Sequence, residues 1–181
     1  MVLIRALNGH DLEKIKTFTD RWIGQDYYSK AEIEEGLGFS GGASFGAFEG
    51  EELLAVRLSY APGSWLEKAR GLTPSQWRVS QKKVAYFKSL FVAEACQGKG
   101  IGRQLSERSL AVLRERGAEA VICHSWLESP GNSSQRYLQG MGFSEVARHQ
   151  RFWFPIDYLC TRCAPERCVC TAVEMIKYLE L

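Results

Sequence analysis

Hydrophobic positions change their period several times along the chain, and each change marks an element. Residues 2–7 suit a short strand, and Asn8 or Asp11 can cap the amphipathic segment that runs to about Ile23. Ser29 followed three residues later by Glu32 forms a capping-box pattern, which predicts a second short helix over residues 29–37. Residues 36–42 hold four glycines in seven positions and should break regular structure. Residues 43–49 and 53–60 flank Gly50-Glu51-Glu52 and read as an antiparallel hairpin. Residues 62–83 are polar, with two prolines and two tryptophans, and read as an irregular excursion. Such a segment either shapes a substrate pocket or is a surface insertion. Residues 84–92 form the clearest strand of the chain, followed by a helix from about Gly102 to Arg116. A strand at 120–126, a short helix at 132–140 and a strand at 146–154 complete the alternation. Residues 171–181 read as a helix or an edge strand closing the domain. The order predicts a mixed α/β fold.

Composition narrows the class. At 181 residues the chain suits a single domain over 1–181, with 158–181 as a cysteine-rich C-terminal extension. Hydrophobic residues make up 45% and charged residues 24%, which excludes disordered and fibrous classes. A net charge of +2 is too small to predict a nucleic-acid or membrane surface, so neither partner is expected and any anion binding must be local. No apolar stretch approaches the ~20 residues of a membrane span. The first residues lack the charged start, apolar run and cleavage site of a secretory signal, so the expected location is cytoplasmic. In a reducing compartment, clustered cysteines bind metal or stay reduced more often than they pair.

The strand at 84–92 leads into Gln97-Gly98-Lys99-Gly100-Ile101-Gly102-Arg103 and then a helix. Strand, glycine loop and helix together suit an anion. Glycines let backbone N–H groups approach a ligand, and the helix N-terminus adds roughly half a positive charge. Lys99 and Arg103 add mobile cations. Ile101, Leu105 and Val112 fall within ~40° of one another on a helix and would pack on the sheet. The loop lacks the Lys-Ser/Thr ending of a phosphate-binding Walker loop, and Arg103 stands where a dinucleotide fingerprint needs glycine.

Gln97-x-x-Gly100-x-Gly102 after a strand resembles the pyrophosphate signature of the GNAT acyltransferase superfamily. Arg136-Tyr137-Leu138-Gln139-Gly140-Met141-Gly142-Phe143 is similar to that family's fourth helix, which ends in Gly-Phe beside the coenzyme. The order of elements over residues 2–154 resembles the family as well. The resemblance implies a mixed, mostly antiparallel central sheet flanked by helices. It also implies acetyl-coenzyme A as cosubstrate, with its pyrophosphate on Gly98, Lys99, Gly100, Ile101, Gly102 and Arg103, aided by Gln97. The pantetheine would run along the backbone of Leu90, Phe91 and Val92, and Asn132 and Ser134 would meet it from the fourth helix. The implied activity is direct transfer of an acetyl group to a primary amine of a small molecule, peptide or protein, by an N-acetyltransferase that can act as a homodimer.

The catalytic groups are left open. The family's frequent acid, a tyrosine four residues before the glycine of Gly-Phe, is Leu138 here. Tyr137 stands one residue away, ~100° around the helix, where it serves as acid or as packing. Solvent can protonate the leaving thiolate instead. Asn132 sits one residue closer to Gly142 than the family's pantetheine asparagine and could equally cap the helix. Tyr86 and Lys88 occupy strand positions where relatives place a glutamate base. Glu128 and His124, at the end of the 120–126 strand, are candidates to relay a proton through water, or else a loop charge and a bonded strand residue; His149 is a weaker candidate. Trp22, Tyr27, Tyr28, Trp65 and Trp77 fall in regions that vary around an acceptor cleft, but aromatic residues also fill cores.

Cys160, Cys163, Cys168 and Cys170 give a C-x2-C-x4-C-x-C pattern within eleven residues. Four thiolates can close a tetrahedral zinc site, and the alternatives are reduced thiols or disulfides formed after lysis. Two rival functions remain: a protein that senses acyl-coenzyme A without turning it over, and a nucleic-acid-binding cysteine tail, for which Arg162 and Arg167 supply few phosphate contacts.

Overall fold

The computed structural model describes residues 1–180, so Leu181, the last residue of the predicted closing segment, lies outside the described residues. Seven strands form one sheet: β1 (Leu3–Ala6), β2 (Phe45–Glu49), β3 (Glu52–Tyr60), β4 (Val84–Val92), β5 (Ala120–Trp126), β6 (Ser144–His149) and β7 (Ala172–Tyr178). Their spatial order is β1-β2-β3-β4-β5-β7-β6, and every neighbouring pair is antiparallel except β4 and β5. The mixed, mostly antiparallel sheet is as expected.

Four helices cover it. Helices α1 (Leu12–Trp22) and α2 (Lys30–Phe39) lie on one face, where Ile15, Phe18 and Ile33 pack on Val56 and Leu58. Helices α3 (Ile101–Glu115) and α4 (Ser133–Gly140) lie on the other, where Leu105 packs on Ala55 and Leu138 belongs with Phe87 and Cys123. Alternate residues of β3 thus serve opposite faces, as a pleated strand requires. Ser29 and Glu32 close the predicted capping box of α2. The glycine-rich stretch breaks later than its composition suggests, because Gly36 and Gly38 are helical. At Gly36 a Cβ would come within 2.9 Å of the Tyr60 hydroxyl, so the missing side chain lets α2 approach the sheet.

Two features position a site. The first is a divergence: β4 and β5 pair only from Val84↔Ala120 to Phe87↔Cys123. Beyond that point β4 stays with β3 as far as Val92 and β5 stays with β7 as far as Trp126, so the sheet opens between two parallel strands. The second is a bulge, since Leu58 pairs with Ser89 while Ser59 pairs with Phe87, leaving Lys88 as the extra residue of β4 at the mouth of the opening.

The excursion at 62–83 contains three 3-10 turns and lays Trp65 and Trp77 on Val84, Tyr86, Ile122 and Ile176. Trp65 is 1% exposed, donates Nε1–H to the Val84 carbonyl at 2.9 Å and stacks on Tyr86, so both tryptophans are core rather than cleft residues. Glu174 of β7 holds the excursion down. Its buried carboxylate accepts from Thr73 N at 3.1 Å, Thr73 Oγ1 at 2.6 Å, Trp77 Nε1 at 2.8 Å and His149 Nε2 at 2.9 Å.

Two predicted elements differ. The strand expected at 146–154 ends at His149, after which the chain turns through Arg151, whose φ of 54° is left-handed. The closing segment is neither helix nor edge strand. Strand β7 is bonded to β5 on one side and β6 on the other, which its fully apolar Val173, Met175 and Ile176 require. The four clustered cysteines therefore lie in the connection between β6 and β7.

Candidate active site

A cavity of about 440 Å³ lies where β4 runs into α3. Its floor includes Leu90 and Val92, its rim Gln97, Gly98, Gly100 and Arg103, and its far wall Arg136, Tyr137 and Met141 of α4 and the residue after it. Ile101 and Gly102 line it as well. Gly98 and Gly100 hold φ of 74° and 75°, which side chains rarely tolerate. Gly100 occupies the N-cap of α3, and no side chain caps that helix, so the first-turn N–H groups have no intrahelical partner. At Gly102 a Cβ would lie 3.3 Å from Leu90 and 3.4 Å from Val92, which lets the helix start press against the strand. A helix N-terminus, three glycines and exposed cations make this end electropositive. A smaller hollow of about 330 Å³ beside α2 has Glu34 as its one charged lining residue and suits no anion.

Other expected coenzyme residues fall outside the cavity lining. Phe91 packs on the opposite face with the α1 and α2 core, and Lys99 is exposed. Arg103, on the cavity rim, bonds Glu107 at 2.8 Å. Asn132 adopts a left-handed conformation with φ of 52° and makes no capping bond; Ser129 Oγ accepts from Ser134 N instead. The Asn132 Nδ2 donates to Gln135, while its Oδ1 is buried without a partner. Ser134 Oγ accepts from Trp126 N at 3.2 Å and so ties α4 to the end of β5.

The predicted proton-transfer groups are each engaged. Tyr137 donates its hydroxyl to the Gly102 carbonyl at 3.0 Å and lies 2.8 Å from Ser106 Oγ, which also accepts from the buried Arg57 guanidinium. Arg57 lies 4.0 Å over the Phe87 ring, and burial lowers its pKa. Both oxygens of Glu128 accept from Thr171 N, at 3.0 and 2.9 Å, which fixes the end of the cysteine segment to β5. His124 donates Nε2–H to the Gly71 carbonyl at 2.5 Å, and its Nδ1 accepts from the Tyr86 hydroxyl at 2.8 Å. Burial pushes its pKa down to about 4, so the ring is neutral at pH 7.

Lys88 is the group whose chemistry the sequence left unused. Its ammonium lies 5.8 Å from the Tyr28 ring centroid and 5.9 Å from that of Tyr86, and burial pulls its pKa down to about 8. Ser89 beside it bonds the Tyr28 hydroxyl at 2.6 Å. The polar doublet Lys88-Ser89 inside an apolar strand was the available signal.

Residues 10–143 match the Acetyltransferase (GNAT) family. The chain belongs to that family. An uncharacterized N-acetyltransferase of Chlorobaculum tepidum is 35% identical over 100 residues, 54% of this chain and 57% of the relative. The chain thus aligns with little more than half the length of that relative. Two solved structures share the fold over nearly their whole length: Ard1 from Thermoplasma volcanium (TM-score 0.70, 14% identity, 99% of each chain) and YncA from Salmonella typhimurium, solved with its cofactor acetyl-CoA (TM-score 0.68, 15% identity, 100% of this chain and 95% of that one). No helix among the described residues is long and apolar enough to cross a membrane.

Proposed function

We propose that the protein transfers an acetyl group from acetyl-coenzyme A directly to a primary amine of a small molecule, peptide or protein N-terminus. The observation that carries this reading is the uncapped, glycine-flanked start of α3 at the foot of the β4–β5 opening. There the amides of residues 98–103 would hold the pyrophosphate, with Lys99, Arg103 and Arg136 as mobile cations. The pantetheine would lie along β4 past Phe87, where that strand has β3 on one side and no strand on the other. The unpartnered Asn132 Oδ1 is suited to accept an amide N–H.

The thioester would then sit near Lys88. As the amine attacks, a C–N bond forms, the C–S bond breaks and the ammonium proton must leave. Lys88 can accept it, because an amine with pKa about 8 is partly neutral near neutral pH. Solvent protonates the departing thiolate. His124 is a weak base with both nitrogens bonded, and its part is to orient Tyr86. With a panel of amines, coenzyme A release should rise as pH increases through about 8, the direction required of a lysine acting in its neutral form. Lys88→Met should lower kcat by roughly 100-fold and remove that limb while leaving acetyl-coenzyme A affinity unchanged. An identical pH profile in the variant would rule Lys88 out.

The second reading, binding without turnover, is favoured by the engagement of Tyr137, Glu128 and His124 in fixed bonds. Coenzyme A release with any amine excludes it.

A further inference from the structure

The sulfurs of Cys160, Cys163, Cys168 and Cys170 all lie within 4.8 Å of one another, and those of Cys163 and Cys170 are 3.6 Å apart. All four thiols are free. Four sulfurs around zinc at ~2.3 Å stand about 3.8 Å apart, so this cluster needs only a small contraction to coordinate an ion. We infer that these four cysteines hold a structural zinc ion that ties the β6–β7 connection to the α1–α2 connection beside Lys88.

The surroundings suit four thiolates. The chain turns tightly around the cluster, with Ala164 N donating to the Cys160 carbonyl at 3.0 Å and Glu166 N to the Cys163 carbonyl at 2.9 Å. Arg162 Nη1 lies 3.8 Å from the Cys170 sulfur and offsets part of the net charge of 2− that one zinc and four thiolates would carry. The Trp126 indole N–H is buried without a nitrogen or oxygen acceptor and belongs to the shell around these cysteines, where a thiolate at Cys170 would receive it. Binding would release up to four thiol protons and involve no redox change. Three of the four cysteines are buried, and a closed set of four ligands leaves no position for substrate, so the ion is structural.

The cluster is linked to the mouth of the opening by a row of aromatic contacts. Tyr158 packs against the cysteine cluster, and its ring meets Tyr27 edge-on at 4.9 Å. Tyr27 accepts from Trp153 Nε1 at 3.0 Å and touches Tyr28, which bonds Ser89 next to the β4 bulge. At Gly24 a Cβ would come within 2.8 Å of the Leu159 carbonyl, so the two connections meet backbone to backbone. Describing this wall as the amine side of the site rests on the acetyl-transfer reading; the metal site itself does not.

Elemental analysis of protein purified under reducing conditions without chelator should find about one zinc per chain, removable with a thiol-blocking reagent. Cys160→Ser and Cys170→Ser should lose it, and Cys96→Ser should keep it. Returning zinc to metal-free wild type should slow amide exchange at residues 158–170 and also at residues 24–28, with no amine or coenzyme present. Failure of the reduced wild type to take up zinc, iron in its place, or retention of zinc by both cluster variants would overturn the site. Slowed exchange confined to residues 158–170 would overturn the link between the two connections. Neither readout depends on turnover, so loss of the acetyl-transfer reading would leave both standing.

Discussion

Gly100→Glu should raise the dissociation constant for acetyl-coenzyme A at least 100-fold, a loss of about 2.8 kcal/mol. Gly100 is the N-cap of α3 at the edge of the 440 Å³ cavity, and the space its side chain would enter is open except for the end of Gln104, 4.0 Å away. The new carboxylate therefore projects where the pyrophosphate belongs and places like charge beside it. Positive φ adds strain, since a side chain in the left-handed region costs roughly 1–2 kcal/mol. Gly100→Asn relieves both effects, because asparagine tolerates this conformation and carries no charge. Calorimetric titration should show a far smaller loss of affinity for the Asn variant, and its thermal melt should lie above that of Gly100→Glu. Equal affinity of Gly100→Glu and wild type would remove the loop from the binding site.

Glu174→Ala should cost about 3–5 kcal/mol of stability, the range for removing one member of a buried charged network. The carboxylate is fully buried, and its loss strands the indole N–H of Trp77, both donors of Thr73 and the ring N–H of His149. The excursion carrying Trp65 and Trp77 would lose its anchor, uncovering one face of β4, β5 and β7. Burial alone would raise the Glu174 pKa, but hydrogen bonds from Thr73, His149 and Trp77 outweigh it and the net shift is downward. A depressed pKa stabilises the fold above the unfolded-state value of about 4.3 and ceases to do so as pH falls through the folded value. Wild type should thus lose stability below about pH 4 more steeply than Glu174→Gln, in denaturant titrations at stepped pH. Parallel pH curves would show that this carboxylate is not the one being titrated.

Local signals were legible and non-local ones were not. The capping box at Ser29 and Glu32, the strand Val84–Val92 and the glycine loop all depend on neighbours in sequence, and each stands where expected. The interior place of β7 was not legible, because an apolar run suits an edge, a centre or a helix until its partners are known. The bulge at Lys88 depends on the register between β3 and β4, which no single strand specifies. Arg57 and Glu174, charged residues inside apolar runs, bond Ser106 and the Thr73–Trp77 turn, 49 to 101 positions away, and no local pattern specifies such partners. Candidate residues chosen by type and position in sequence, Glu128, His124 and Tyr137, proved to be bonded to Thr171, Gly71 and Gly102. Side-chain chemistry says what a residue can do, and only packing says whether it is free to do it.

The most direct test of the coenzyme site is amide hydrogen exchange of the wild-type chain with and without acetyl-coenzyme A. Slowed exchange concentrated at residues 98–104 and along β4 from Ser89 to Val92 is the expected result. Unchanged exchange there at saturating ligand, or protection centred instead on the hollow beside Glu34, would contradict the account.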